Sequence, residues 1–143
     1  MNITLRPVSD YRNAIFFLYL LLGQRTKDQS ISHKEMPGKH QHAKFVRSRP
    51  YRLWFIIKAD GEPVGSIYAT RQNEIGIQIA KARQGLGIGM KALNLLTSRY
   101  KPLPEIPGKR AGVWLANISK DNDRSIDFFE KAGFSLRQYT FQR

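Results

Sequence analysis

Apolar and polar positions alternate along several short stretches of this chain, which is the pattern of strands with one buried face. Residues 74–80, EIGIQIA, alternate clearly, and residues 53–58, LWFIIK, are almost continuously apolar. Asp60-Gly61 follows the second stretch and predicts a hairpin turn, because both residues tolerate positive φ. The predicted strands are residues 3–8, 53–58, 63–70, 74–80, 111–116 and 134–141, of which 111–116 is expected to be buried.

Helical patterns lie between these strands. The apolar run of nine residues from Ala14 to Leu22 is too short for a membrane helix, which needs about 20 residues. It predicts a buried helix with Ser9 or Asp10 as its N-cap. Gly133 is expected to close the last helix. The predicted helices are residues 11–22, 40–47, 88–100 and 122–132, and residues 23–38 are predicted as a polar loop.

The resulting order, β-α-α-β-β-β-α-β-α-β, predicts one α/β (α+β) domain over residues 1–143, with a mainly antiparallel sheet flanked by helices. A chain of 143 residues is long enough to bury a core. It has no cysteine, which excludes disulfides, thiolate metal sites and a cysteine nucleophile, and which suits a reducing compartment such as the cytoplasm. Its three histidines are scattered, so no metal-ligand spacing is present.

The chain is strongly basic. Lysine and arginine number 24 against 11 acidic residues, which gives a formal net charge of +13, and residues 1–52 carry ten basic and three acidic residues. Such a field attracts polyanions, which include RNA, anionic lipid and phosphate-rich small ligands, and it is equally compatible with a solvated surface. No aromatic platform lies among the basic residues, so nucleic acid is not expected as a partner, and neither is a membrane.

Residues 83–89, RQGLGIG, stand between a predicted strand and a predicted helix. The first turn of such a helix presents N–H groups with no intrahelical partner, and these donors and the helix dipole favour an anion. Gly85, Gly87 and Gly89 have no side chains, so a ligand can approach the backbone closely. Pyrophosphate is the expected ligand. The alternative is a turn whose glycines allow close packing and bind no ligand.

Two other phosphate-binding loops do not fit this stretch. It does not end in Gly-Lys-Ser/Thr, which excludes a nucleotide triphosphatase loop. Its spacing is G-x-G-x-G rather than G-x-G-x-x-G, and the preceding strands are predicted as hairpins rather than as a βαβ unit. Both features argue against a dinucleotide-binding fold.

Gln84-x-x-Gly87-x-Gly89, which follows a strand and opens a helix, resembles the acyl-coenzyme A pyrophosphate loop of the GNAT superfamily of N-acetyltransferases. Residues 122–134, NDRSIDFFEKAGF, resemble the late helix of that superfamily, and the resemblance covers nearly the whole chain. It implies splayed central strands that hold acetyl-coenzyme A between them, and direct attack of a free amine in a ternary complex. The residues that it assigns to the donor are Ile77, Ile79, Gln84, Gly85, Leu86, Gly87, Ile88, Gly89, Met90, Asn122, Ser125 and Phe129.

The resemblance also implies a general base and a general acid. Glu74 matches the place where several members of the family carry a catalytic glutamate, although a surface turn residue is the alternative. The tyrosine that serves as the acid in this family would fall at Phe129, which has no hydroxyl. Tyr139 is the candidate by elimination and Tyr68 is a weaker one. Protonation by water is a further alternative, because a thiol pKa of about 8.5 makes the thiolate a tolerable leaving group.

Two branches of the superfamily are most similar to His42-x-x-Phe45 and the following residues 51–67, YRLWFIIKADGEPVGSI. One branch acetylates amino sugars attached to nucleotide diphosphates, and the other acetylates the N-termini of ribosomal proteins. The first is the favoured interpretation, in a bacterial-type enzyme, because a diphosphate would suit a basic N-terminal half. The expected acceptor contacts are His42, Arg47 and Arg52, with Lys44 and Arg49 as further candidates, and a solvated helix face is the alternative.

The sequence departs from the family at its end. Ten residues follow Gly133, enough for one strand where the family usually has two. A partner chain could supply an edge, so either a monomer or a homodimer is expected. Because Phe129 has no hydroxyl, a non-catalytic module that binds acyl-coenzyme A is an alternative to an enzyme. Because the chain is strongly basic, a module that binds polyanions is another.

Overall fold

The computed structural model describes residues 1–25 and 36–143. Most of the loop predicted at residues 23–38 lies outside them. The strands are β1 (Ile3–Pro7), β2 (Leu53–Ala59), β3 (Glu62–Ala69) and β4 (Ile75–Ile79). The helices are α1 (Ala14–Gly23), α2 (Lys39–Arg47), α3 (Ile88–Arg99) and α4 (Asp123–Lys131). Short 3-10 turns occupy Val8–Asp10 and Lys81–Arg83.

The strands form one antiparallel sheet in the order β1-β2-β3-β4. The connection between β2 and β3 is the predicted hairpin, and its residues Asp60 and Gly61 have φ values of 49° and 85°. Positive φ at both positions gives a turn whose twist matches that of the flanking strands. The predicted mixed fold, with a mainly antiparallel sheet flanked by helices, is confirmed.

Both faces of the sheet are covered, which explains why β2 reads as a continuous apolar run. Side chains of successive strand residues point to opposite faces. Ile57 belongs to the core with α3, whereas Ile56 packs with α1 and α2 on the other face. The face with α3 also carries Phe129 of α4. The sheet therefore separates an α3/α4 side from an α1/α2 side.

The predicted start of α1 was wrong. Ser9 and Asp10 belong to a 3-10 turn, and the helix begins at Ala14 with Asn13 as the residue before it. The Asp10 carbonyl accepts a hydrogen bond from the Arg6 guanidinium (3.1 Å), so this stretch serves the turn rather than the helix. The helix is not buried all round either, because Phe16 and Leu20 are exposed while only one side faces the core.

Two predicted strands are not formed. Residues 111–116 make a single parallel bridge, between Leu115 and Glu74, and residues 134–143 have no regular secondary structure. A strand needs a neighbour that completes its hydrogen bonds, and an alternating sequence does not supply one. The predicted helix end at Gly133 is confirmed: its φ is 92°, and the Phe134 N–H donates to the Phe129 carbonyl (2.9 Å).

Across residues 1–25 and 36–143, no helix combines the length and the apolar character needed to cross a membrane.

Candidate active site

A wedge opens along the edge of β4 that faces away from β3. Near the start of this edge, the Ile75 N–H donates to the Leu115 carbonyl (2.8 Å) and the Leu115 N–H donates to the Asn73 carbonyl (2.8 Å). Within the described residues, no backbone hydrogen bond joins residues 76–79 to the 111–118 segment. The two segments therefore separate after Ile75 and leave a cleft between them.

The wedge exposes peptide groups of alternate β4 residues. At the end of the β3–β4 ladder, the Ala80 N–H donates to the Val64 carbonyl (2.8 Å), so even-numbered residues pair with β3. The peptide groups of Ile77 and Ile79 consequently point toward the cleft. The Ile79 carbonyl accepts a hydrogen bond from the Gln84 side chain (3.0 Å). Ile77 thus offers a backbone donor and acceptor to a ligand that lies along the strand.

The glycine loop forms one end of the cleft. Gly85 and Gly87 both have a φ of 79°, a conformation that side chains disfavour. Gly87 immediately precedes α3, and the Lys91 N–H is bonded to its carbonyl (3.2 Å). The N–H groups of residues 88–90 therefore have no intrahelical partner. Together with the helix dipole, they make this end of the cleft favourable for a phosphate group.

Side chains from two elements hold the loop in place. Gln84 donates to the Ile79 carbonyl and accepts a hydrogen bond from the Arg124 guanidinium of α4 (2.6 Å). Asn122 caps α4, because its side-chain oxygen accepts the Ser125 N–H (3.1 Å). The start of α4 is thereby fixed beside the start of α3.

The cleft has a volume of about 360 Å³. Leu86 is 54% exposed and does not line it. The sequence did not single out Arg25, Gln78 and Phe128, which do line it. Only the fold brings these three residues together, because they belong to separate elements. The predicted donor-site residues that line the cleft are Ile77, Ile79, Gln84, Gly85, Gly87, Ile88, Gly89, Met90, Asn122, Ser125 and Phe129.

The cleft is basic at the phosphate end. Arg83 is paired with Glu62 (2.8 Å), and Lys131 is paired with Asp127 (2.9 Å). In the part of the chain that the structure describes, Arg124 has no carboxylate partner, and its guanidinium donates a hydrogen bond to the Gln84 side chain. Its charge is therefore available to an anionic ligand at the glycine loop.

Glu74 stands at the narrow end of the wedge, one residue before β4. Its carboxylate accepts hydrogen bonds from the Thr70 hydroxyl (3.0 Å) and from the Asn117 side-chain amide. Successive strand residues point to opposite faces, so the Glu74 side chain lies on the same face of β4 as position 76, which is the α1/α2 side of the sheet. This orientation directs a carboxylate toward the side of the wedge opposite α3.

Tyr68 lies across β4 on this same side. It is the register partner of Gly76, where a Cβ atom would overlap its ring and hydroxyl oxygen. Its ring stacks on that of Tyr51, with centroids 4.0 Å apart and planes 7° apart. Burial raises the pKa of Tyr68, with Arg25 opposing the rise and the Glu74 carboxylate adding to it. Burial likewise raises the pKa of Tyr51, and neighbouring Tyr68 contributes to that rise.

The other tyrosine predicted as an acid lies elsewhere. Tyr139 is 74% exposed in the irregular segment 134–143, and its ring lies near that of Phe141, with centroids 6.2 Å apart. Neither tyrosine lines the cleft, but Tyr68 lies over Gly76 of β4, whereas Tyr139 lies in the exposed segment after α4. Phe129 does line the cleft, but it is buried against Phe128 and Phe134 and carries no hydroxyl.

A second cavity, with a volume of about 660 Å³, lies on the α1/α2 side of the sheet. Arg47 and Arg52, two of the expected acceptor contacts, line it, and Arg12, Arg49, Tyr51 and Trp54 line it as well. No ion pair to its arginines is found within residues 1–25 and 36–143. The buried indole N–H of Trp54 has no acceptor among the described residues. Asp10 lines the cavity too, and the Arg52 guanidinium donates to the Lys101 carbonyl (2.9 Å). Arg12, Arg47 and Arg49 therefore carry most of the positive charge of the cavity, which suits an anionic molecule with a polar acceptor group.

His42 does not reach either cavity. Its side chain is 7% exposed, and its ring packs against that of Tyr19 at a centroid distance of 5.3 Å. The predicted set of acceptor contacts is thus divided, with two arginines in the cavity wall and the histidine between α1 and α2. In the described ranges, no cluster of three or more histidine or acidic side chains is arranged to hold a metal ion.

Comparison with known proteins gives a consistent result. The sequence model described as "Acetyltransferase (GNAT) family" matches residues 18–134. No curated protein sequence matches the chain.

Several solved structures share the fold at low sequence identity. An acetyltransferase from Thermus thermophilus is similar, with a TM-score of 0.69, 19% identity and coverage of 94% of this chain and 88% of that chain. The protein yncA from Salmonella typhimurium, solved with its cofactor acetyl-CoA, has a TM-score of 0.62 and 18% identity, and the match covers 94% of this chain and 80% of that chain. A ribosomal-protein-alanine N-acetyltransferase from Brucella melitensis has a TM-score of 0.67 and 17% identity, and the match covers 94% of this chain and 85% of that chain.

Proposed function

The chain belongs to the acetyltransferase (GNAT) family, and we propose that it transfers an acetyl group from acetyl-coenzyme A to a primary amine. The wedge along β4 supports this proposal most directly. It combines exposed peptide groups at Ile77 with a helix end and glycine loop that suit a pyrophosphate. A donor with an amide-bearing arm and a pyrophosphate matches both parts of the cleft.

The residues at the narrow end of the wedge support direct transfer. The amine must reach the thioester as the free base, and the Glu74 carboxylate is held where it can accept the proton through water. The amine nitrogen then attacks the carbonyl carbon, and the C–S bond breaks as the C–N bond forms. The outward-facing N–H of Ile77 is suited to stabilise the oxyanion between these events.

The arginine cavity supports an anionic acceptor. Its guanidinium groups suit a diphosphate, and its aromatic residues Tyr51 and Trp54 suit the faces of a base or sugar. We therefore propose a nucleotide-linked amino sugar as the acceptor. In this arrangement Tyr51 lies at the boundary between the cavity and the wedge, because its ring stacks on Tyr68 beside β4.

The charge of the chain favours a second candidate acceptor, the N-terminus of a ribosomal protein. A net charge of +13 would hold the enzyme near ribosomal RNA. Acetylation of ribosomal proteins, together with salt-sensitive co-sedimentation with ribosomes, would favour this acceptor over the amino sugar.

A calorimetric titration with acetyl-coenzyme A tests the donor site. We expect one-site binding that Gly87→Glu abolishes, because the new side chain would occupy the phosphate end of the cleft. Gly61→Glu is the matched control, since Gly61 also has a positive φ (85°) but lies in the β2–β3 turn. Equal loss in both variants, or binding retained by Gly87→Glu, would contradict the assignment.

A coenzyme A release assay tests the acceptor. Wild type and Glu74→Gln are assayed with nucleotide-diphosphate amino sugars, the corresponding free amino sugars and short peptides. We expect release with the nucleotide-linked amines, about 100-fold slower in Glu74→Gln, with donor binding unchanged. Release with peptides alone would reject the amino sugar, and no release with any amine would reject the proposed transfer to these acceptor classes.

A further inference from the structure

We propose that Tyr68 supplies the proton that the departing sulfur of coenzyme A takes up. This inference rests on the acetyl transfer proposed above and adds a catalytic residue to it. Phe129 of α4 has no hydroxyl, so a side chain that protonates the sulfur would have to come from another element.

The placement of Tyr68 is unusual because its ring crosses the neighbouring strand. A Cβ atom on Gly76 would overlap the Cζ, Cε1 and hydroxyl oxygen of Tyr68, so the glycine is what admits the ring. The hydroxyl consequently lies over β4 one residue before Ile77, whose peptide group faces the donor cleft. A β4 residue with any side chain at this point would exclude the tyrosine from the narrow end of the wedge.

Neighbouring rings hold Tyr68 in this position. Tyr51 stacks on it with nearly parallel planes, and Trp54 meets Tyr51 edge to face at a centroid distance of 4.8 Å. A stacked aromatic ring has few alternative rotamers, so the hydroxyl is pre-positioned. The conformation therefore costs little additional ordering when the substrates bind.

The surroundings suit a group that starts protonated and carries a negative charge only briefly. Burial raises the pKa of Tyr68, which keeps the hydroxyl protonated throughout the physiological range. Arg25 and the Tyr51 hydroxyl both act in the opposite direction, because each stabilises the phenolate. The Glu74 carboxylate adds to the rise, so Tyr68 starts the reaction protonated, and Arg25 stabilises the charge that it carries after giving up its proton.

The proton balance of the transfer is complete with these residues. The lone pair of the amine forms the C–N bond, the C–S bond breaks, and its electron pair goes to sulfur. The sulfur takes the Tyr68 hydroxyl proton and leaves as a thiol. The proton that Glu74 accepts from the ammonium form before attack passes through water to the solvent. The second proton, which the nitrogen loses after attack, passes to Glu74 and then, through water, to the Tyr68 phenolate. One proton moves from nitrogen to sulfur, and both side chains return to their starting states.

The test compares three tyrosine-to-phenylalanine variants, each of which keeps its ring. Tyr68→Phe is expected to lower kcat about 100-fold while the KM and the calorimetric Kd for acetyl-coenzyme A change less than about two-fold. The solvent deuterium isotope effect on kcat should fall in this variant if the lost proton transfer is rate-contributing in wild type. Tyr100→Phe is the control, because Tyr100 contacts Phe55 on the α3 side of the sheet.

Tyr139→Phe tests the other tyrosine that the sequence offers as the general acid. A kcat that falls in Tyr139→Phe and stays within about two-fold in Tyr68→Phe would overturn the assignment while leaving the acetyl transfer intact. So would an equal loss in Tyr68→Phe and Tyr100→Phe, since this would report general damage to the fold. A wild type that binds acetyl-coenzyme A but acetylates no amine would instead remove the proposed function, and the role of Tyr68 with it.

Discussion

The side chain of Asn73 is hydrogen-bonded to the backbone of Leu103 in both directions: its amide nitrogen donates to the Leu103 carbonyl (2.9 Å), and its oxygen accepts the Leu103 N–H (2.7 Å). The same nitrogen donates to the Ala111 carbonyl (2.7 Å). Asn73 therefore ties the 101–111 connection to the turn before β4. This connection leads into the segment that forms the second side of the wedge.

Removing this amide should strongly destabilise the fold. Asn73 is fully buried, so Asn73→Ala leaves two carbonyls and one N–H without their partner. We expect the free energy of unfolding to fall by about 3 kcal/mol, measured by urea denaturation. Asn94→Ala, on the exposed side of α3, should change it by less than about 0.5 kcal/mol. A loss below about 1 kcal/mol at Asn73 would contradict this account.

Gly76→Ala should also destabilise the protein, because its Cβ overlaps the Tyr68 ring. Overpacking of this kind costs about 1 to 3 kcal/mol. The cost should largely disappear in a Tyr68→Ala background, since the clashing ring is then absent. Thermal and urea unfolding of the two single variants and the double variant measure the coupling. Additive effects would mean that Gly76 is required for another reason, such as its backbone conformation.

Arg124→Gln should weaken binding of the donor without unfolding the protein. The substitution removes the guanidinium that contacts Gln84 beside the glycine loop. We expect the calorimetric Kd for acetyl-coenzyme A to rise about ten-fold at low salt, with a smaller change at high salt because of screening. Lys109→Gln removes an equal charge from the exposed 101–111 connection and should leave the Kd within about two-fold. Equal effects in the two variants would indicate a general charge effect rather than a local contact.

Stability should decline with alkaline pH because of the tyrosine pair. The pKa values of Tyr51 and Tyr68 are raised in the folded state, chiefly by burial, above the unfolded value of about 10. Below pH 10 both states keep these protons, and above it the unfolded state loses them first. The free energy of unfolding should therefore fall as pH rises beyond 10.

Urea denaturation between pH 9 and pH 11.5 measures this decline. The slope should be reduced in Tyr51→Phe and in Tyr68→Phe, because each variant removes one of the two titrating groups. An unchanged slope in both variants would assign the decline to other residues.

Sequence patterns predicted the elements that depend on local rules. The Asp60-Gly61 hairpin, the start of α3 after the glycine loop and the end of α4 at Gly133 all follow from φ preferences and capping. The N-cap of α1 did not follow, because Ser9 and Asp10 serve a 3-10 turn. The strands predicted at 111–116 and 134–141 failed because alternation shows which side chains could share a face, not whether a partner strand is present.

The donor cleft was accessible to sequence reasoning because its parts are contiguous. A strand, a glycine loop and a helix end follow one another within residues 74–90, so the peptide and helix-end donors are local consequences of the chain. That Arg25 and Phe128 line the same cleft was not accessible, since this brings together elements far apart in sequence.

The sequence by itself determined the fold class, the antiparallel first half and the loop that suits a pyrophosphate, because each depends on local backbone preferences and on the burial of one face. Only the tertiary structure decided which side chains meet at the narrow end of the wedge. It placed the Tyr68 ring over Gly76, stacked Tyr51 on that ring, and left Tyr139 exposed. Such encounters depend on how separate elements pack, which a pattern along one chain does not encode.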